Sequence, residues 1–155
     1  MSDLDWMKQA YSLALTAMDK GEVPVGALVV DEDNRLLGTG YNQVIKTQDV
    51  SAHAEIVALR EASKNLNNYR LNNTTLYVTL EPCCMCAGAL VHARIKRIVF
   101  ATRDFKAGAA GSVYNLLKGY PLNHKIQIDE GILQKECAML LEDFFKSRRK
   151  LRSGN

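Results

Sequence analysis

Three cysteines crowd into four positions at Cys83, Cys84 and Cys86, and only Cys137 lies elsewhere in the chain. On a helix, residues three apart share a face and neighbours diverge by about 100°. Cys83 and Cys86 can therefore converge on one ion, while Cys84 turns aside. The chain has three histidines, His53, His92 and His124, and the first stands in "AHAE" with Glu55 two positions on. His53, Cys83 and Cys86 supply three ligands and leave a fourth position for water, the pattern of a catalytic zinc ion. Zinc brings the pKa of a bound water down to about 7, and a carboxylate beside it can shuttle the proton. Glu55 suits that shuttle. A bare C-x-x-C also suits a redox pair, or a closed structural site with Cys84 or His92 as fourth ligand. The ordered set of H-x-E, strand and P-C-x-x-C favours catalytic zinc. Cys137, alone on a helical pattern, reads as a small buried hydrophobe.

These groups need elements to hold them. Trp6, Ala10, Leu13, Ala14 and Ala17 recur at helical spacing, so a helix is expected over 3–19, ending at Gly21. "VGALVV" (25–30), the turn-like "DEDN" and "RLLGTG" (35–40) read as a hairpin. Residues 41–51 read as polar and irregular. Helix formers fill 52–66, with His53 and Glu55 at the start. "TLYVTL" (75–80) reads as a strand, and Pro82 opens a short helix that carries the cysteines. A strand at 97–101, a small-residue loop, a short helix in "VYNLLK" (113–118), a weak strand at 125–129 and a long helix over 132–151 complete the pattern. Strands alternating with helices imply a layered α/β domain.

The 155 residues are 47% hydrophobic and 24% charged, which fits one domain with a sizeable core. No stretch approaches the roughly 18 apolar residues of a membrane span, and no signal peptide opens the chain. Clustered cysteines argue against a secreted disulfide scaffold and point to a reducing cytoplasm. The formal charge of +3 is uneven: five cations follow residue 145 and no acid follows Asp143. Residues 1–145 are thus slightly acidic, and the basic end could meet a polyanion or simply suit a helix C-terminus.

The signature His–x–Glu with Pro–Cys–x–x–Cys is that of the zinc deaminases acting on nucleobases. Together with "GEVPVGA" (21–27), "NYRL" (68–71), "TLYVTLEPCCMCAGAL" (75–90), "GAAGS" (108–112), "NH" (123–124) and "DFFKSRR" (143–149), it makes the chain resemble the bacterial tRNA-specific adenosine deaminases of the cytidine-deaminase-like superfamily. The resemblance implies a three-layer α/β/α fold around a central five-stranded mixed sheet, a single zinc-dependent deaminase domain, and a homodimer. It implies one Zn2+ per chain and hydrolysis of adenosine to inosine at the wobble position of the tRNA anticodon, principally in an arginine tRNA with an ACG anticodon. By the same resemblance Asn42 would bond the target base, His53 would also help sandwich it, and Val25 would form an apolar wall. Asp104 and Lys106 would lie near the nucleotide's sugar and flanking phosphates, and Asn123 and His124 near the anticodon loop. Phe144, Phe145, Arg148 and Arg149 would meet neighbouring nucleotides. Aromatic stacking and Lys or Arg contacts to phosphate are how unstacked loop bases are held. Two positions depart from the family: Cys84 replaces a common valine, and Val50 replaces a common proline.

Overall fold

The structure is a computed structural model that describes residues 1–118 and 124–153. It opens with helix α1 (Asp3–Asp19), fixed at its start by a capping box in which Ser2 and Asp5 satisfy each other's backbone N–H groups. Such a cap is worth about 1 kcal/mol. Strands β1 (Gly26–Val30) and β2 (Leu36–Tyr41) follow, then the one-turn helix α2 (Val44–Thr47) and helix α3 (Ala54–Leu66). Strand β3 (Thr75–Leu80), helix α4 (Cys84–His92), strands β4 (Arg97–Thr102) and β5 (Gln127–Glu130), and helix α5 (Gln134–Ser153) complete the chain.

The five strands lie in the order β2-β1-β3-β4-β5. β1 runs antiparallel to both β2 and β3, whereas β3, β4 and β5 are parallel. The sheet is mixed, as expected. Alternate residues of each strand enter opposite cores, because side chains flip face at every position. Ala27, Val29, Leu76, Val78, Ile98 and Phe100 pack with α3 and α4. Leu28, Val30, Tyr77, Val99 and Ala101 pack with Trp6, Met7 and Ala10 of α1 and Cys137 of α5. The result is three layers, helices over and under a sheet.

The helix that carries His53 and Glu55 sits unusually close to the sheet. A Cβ added to Gly40 would come within 2.7 Å of the Ala58 nitrogen, and one on Gly38 within 2.6 Å of the Ala62 nitrogen. Only glycine permits that approach. Ala54, Ala58 and Ala62 of α3 complete the contact and are fully buried.

Two stretches differ from expectation. Residues 44–47, read as irregular, wind into α2 because the buried Glu22 carboxylate accepts the N–H groups of Ile45 (3.1 Å) and Lys46 (2.8 Å). Residues 113–118 are not a helix. There Val113 and Tyr114 donate to Gly108 O and Leu116 donates to Ala109 O, so the segment folds back on the preceding loop. Ala110 and Asn115 form an isolated bridge in that turn. In both places a non-local partner decides the backbone, which local propensity does not report.

Candidate active site

His53 is the N-cap of α3 and Cys83 the N-cap of α4. The two helix starts come together beyond the C-terminal end of the central strand β3, at Leu80. His53 Nδ1 lies 3.6 Å from Cys83 Sγ and 3.5 Å from Cys86 Sγ. Among the described residues these three side chains are the one group of three His, Cys, Asp or Glu placed to share a metal ion, with donor atoms all within 4.8 Å of one another. Tetrahedral zinc with ordinary Zn–N and Zn–S bonds puts nitrogen and sulfur about 3.6 Å apart. The donor set fits that ion in type, number and spacing. Cys84 is exposed, and His92 is exposed at the far end of α4, so neither joins the cluster.

The electrostatics follow from burial and from the cluster itself. A hydrogen bond from the Cys86 side chain, reinforced by His53, lowers the Cys83 thiol to about 3. The same Cys83–Cys86 bond, with burial, raises Cys86. The Cys83 sulfur also raises the His53 imidazole above its ordinary value. A divalent cation among the three donors favours thiolate on both cysteines and neutral imidazole. Glu55 is 4% exposed, and burial pushes its carboxyl up to about 7, with the neighbouring Cys83 acting in the same sense. A carboxyl poised there can both take and give a proton near neutral pH.

A cavity of about 270 Å3 opens over these groups, lined among others by Val25, Asn42, His53, Glu55, Cys83 and Asp104. Asn42 is buried, and its Oδ1 accepts the Ala54 N–H at 2.7 Å. That bond engages the amide oxygen and leaves the NH2 group available as a donor. Val25 is 4% exposed and forms an apolar part of the wall. Asp104 uses Oδ1 to accept the N–H groups of Lys106 (3.0 Å) and Ala107 (3.2 Å), a local turn that shapes its own loop.

A larger groove of about 680 Å3 adjoins the cavity, sharing Val23, Asn42, His53 and Phe145 with it and bordered by Arg148, Arg149 and Arg152. A third hollow of about 450 Å3 lies on the other side of Phe145, against Asp104, Phe105 and Lys106. Phe145 borders all three spaces and is half exposed, whereas Phe144 is buried and meets Phe145 edge to face. The Arg148 guanidinium lies 4.9 Å over the Phe144 ring, and Nη2 donates to Gly21 O at 2.5 Å. Arg148 thus ties α5 to the turn after α1. Lys106 and Arg149 are exposed. His124 stands apart from the cavity, with Nε2 2.7 Å from Ile95 O. Asn123 lies outside the described residues.

Sequence reasoning passed over two buried acids that organise this face. Glu22 holds α2, as above. Glu81, 2% exposed, accepts the backbone N–H groups of Asp104 (3.1 Å), Ala110 (2.9 Å) and Ser112 (3.1 Å), and the Ser112 hydroxyl. The signal available was an acid wedged between Leu80, the end of an apolar strand, and Pro82.

Paired helix starts presenting His–x–Glu and Cys–x–x–Cys beyond the central strand of a mixed five-stranded sheet define a deaminase of cytidine-deaminase-like architecture. The family described as MafB19-like deaminase matches residues 1–149. The chain is 50% identical over 147 residues to the tRNA-specific adenosine deaminase of Haemophilus influenzae, covering 95% of this chain and 85% of that one. It is 42% identical over 145 residues to the tRNA-specific adenosine deaminase of Bacillus subtilis, covering 94% and 89%. A chain solved in a study of A-to-I editing by tRNA:A34 deaminases superposes with a TM-score of 0.85 at 36% identity, covering 88% of this chain and 99% of that one. The guanine deaminase from Nitrosomonas europaea, at 24% identity and a TM-score of 0.81 over 92% of this chain and 84% of that one, shares the fold. The protein belongs to the tRNA-specific adenosine deaminase family.

Proposed function

We propose that the protein hydrolyses adenosine to inosine at the wobble position of a tRNA anticodon, principally that of an arginine tRNA with an ACG anticodon. The observation that carries the reading is the single cavity joining the three-donor cluster, the buried Glu55 and the Asn42 amide. His53, Cys83 and Cys86 would hold one zinc ion, which when bound supplies Lewis-acid activation of water. Glu55 does the proton work. Its carboxylate takes one proton from the attacking water and gives it to N1 of the purine ring, then takes the second from the new C6 hydroxyl and gives it to the 6-amino group. Water adds at C6, the C–N bond breaks and ammonia leaves, so the balance is adenosine plus water to inosine plus ammonia.

Asn42 orients the base. With its oxygen engaged by Ala54, the amide presents N–H to the cavity and matches the unprotonated ring nitrogens of a purine. The cavity is of single-base size, which implies that the target nucleotide leaves the loop stack to enter. Val25 packs against the ring. Asp104, Lys106, Phe144, Phe145, Arg148 and Arg149 surround the adjoining hollows, where flanking nucleotides would lie, with Arg148 acting in part by anchoring α5. Asn123 and His124 would approach the anticodon loop. The chain acts as a single deaminase domain within a homodimer and works in the cytoplasm. Among the described residues no helix is long and apolar enough to cross a membrane.

The test offers zinc-loaded protein an arginine tRNA with an ACG anticodon, with free adenosine, cytidine, guanine and cytosine in parallel, and counts products by mass spectrometry. Inosine at the wobble position of the tRNA alone is expected. Turnover of a free base beside untouched tRNA would overturn the substrate and the role given to α5.

A further inference from the structure

Glu81 directly follows β3, immediately precedes Pro82 and Cys83 and borders the cavity, yet its side-chain oxygens are bonded to a neighbouring loop. Its two oxygens divide four donors of one loop between them. Oε1 takes the Asp104 N–H and the Ser112 hydroxyl, and Oε2 takes the Ala110 and Ser112 N–H groups. The packing leaves no slack, since a Cβ on Gly108 would stand 2.5 Å from Glu81 Oε1. The backbones are joined as well: Ala109 donates to Pro82 O at 2.8 Å, and Glu81 donates to Thr102 O at 2.9 Å. The loop so gathered, 103–112, carries Asp104 into the cavity and exposes Phe105 and Lys106 at the adjoining hollow. A buried carboxylate with four donors is a rigid brace, because each donor left without an acceptor would bear the cost of its own desolvation.

We propose that Glu81 is a positioning residue for RNA binding: it locks the 103–112 loop to the segment that carries Cys83, so that Asp104 and Lys106 meet the RNA strand in register with the reacting base. The proposal rests on the tRNA reading above. It separates binding from chemistry, because the hydrogen bonds of both Glu81 oxygens go to the loop and not to the donor cluster.

Glu81→Gln keeps the shape but replaces one oxygen by an NH2 group that faces N–H donors. The experiment measures the Kd of an anticodon stem-loop, the single-turnover rate at saturating RNA, and zinc per chain, for wild type, Glu81→Gln and Ser112→Ala. Glu81→Gln is expected to raise Kd about tenfold while the rate at saturation stays within threefold and zinc stays at one per chain. Ser112→Ala, which removes one donor only, should raise Kd two- to fourfold with the rate unchanged. In a double-mutant cycle, Lys106→Ala should cost less binding in the Glu81→Gln background than in wild type, since the loop's contacts are already out of register. An unchanged Kd, or zinc lost in step with activity, would overturn the proposal. If Glu81→Gln does not fold, Ser112→Ala decides by the same readings. A wild type that binds no stem-loop sinks the tRNA reading and this proposal with it, whereas normal wild-type binding matched by Glu81→Gln sinks this proposal alone.

Discussion

On the α3–α4 side of the sheet the backbones nearly touch: Gly38 and Gly40 lie under Ala54, Ala58 and Ala62, with no side chain large enough to rearrange. On the α1–α5 side one glycine, Gly26, meets the α1 backbone still more closely, a Cβ there standing 2.1 Å from Ala10 O, and Trp6, Met7 and Tyr77 fill the rest of the space. That second side is held at its rim by charge, where Arg97 bridges Asp3 and Asp129, and Tyr77 donates to Asp3 at 2.6 Å. The donor cluster and Glu55 sit on the first side. A helix fixed by backbone contact has few ways to shift, which is what groups held to a few tenths of an ångström require. Large side chains and partly exposed ion pairs tolerate change, and the layer built from them needs only to support.

The contrast is sharpest at Glu55. Glu55→Gln should lower turnover by about 10^2 to 10^4, the range for losing a general acid–base group. Because Gln removes an acid from a buried site, the melting temperature should hold or rise, and zinc per chain should stay at one. Next comes the packing of the same layer. Gly40→Ala forces a methyl group against the α3 backbone and should cost about 1–3 kcal/mol in denaturant unfolding, as overpacking does. Activity at a temperature where the variant remains folded should fall too, since the shift moves His53 and Glu55. On the opposite side, Trp6→Phe loses the Nε1 bond to Asn34 Oδ1 and some volume. It should cost about 1–2 kcal/mol of stability and leave turnover per folded molecule within twofold. An equal activity loss for Trp6→Phe and Gly40→Ala would break the comparison.

The smallest effect belongs to the rim. The hydrogen-bonded Arg97 guanidinium holds the Asp3 carboxyl below its ordinary value against some opposing burial. A lowered carboxylate contributes stability that is full above its unfolded pKa, about 3.9, and lost as pH falls through the folded value. Asp3 is about one-third exposed, so solvent screening keeps the contribution below about 1 kcal/mol. Unfolding of wild type and Asp3→Asn should therefore differ by that amount at pH 7 and converge in acid, as pH falls through the lowered Asp3 value. A difference that widens in acid would contradict the assignment.

Much of this was legible in the residues. α1 and β3 fall on the expected bounds because their periodicities, Trp6 through Ala17 and "TLYVTL", are long and regular. His53, Cys83 and Cys86 were readable from residue type and spacing, and they come together as that spacing implies. What escaped is what distant partners decide. Glu22 winds 44–47 through a bond spanning 23 residues, and Glu81 gathers a loop whose first bond to it lies 23 residues further on. A glutamate in either place looks like any surface acid until its donors are known. The strap from Arg148 to Gly21 spans 127 residues and has no sequence signal at all.

If three donors and one buried acid make a zinc-dependent site for a flipped adenosine, bound zinc should govern turnover. The direct measurement strips the protein with a chelator, restores zinc from zero to two equivalents, and follows inosine at the wobble position of an arginine tRNA. Inosine formation should be lost on stripping, rise in proportion to added zinc and level off at one ion per chain. Undiminished activity in the stripped protein, or a plateau away from one equivalent, would rule out a zinc-dependent site of these three donors.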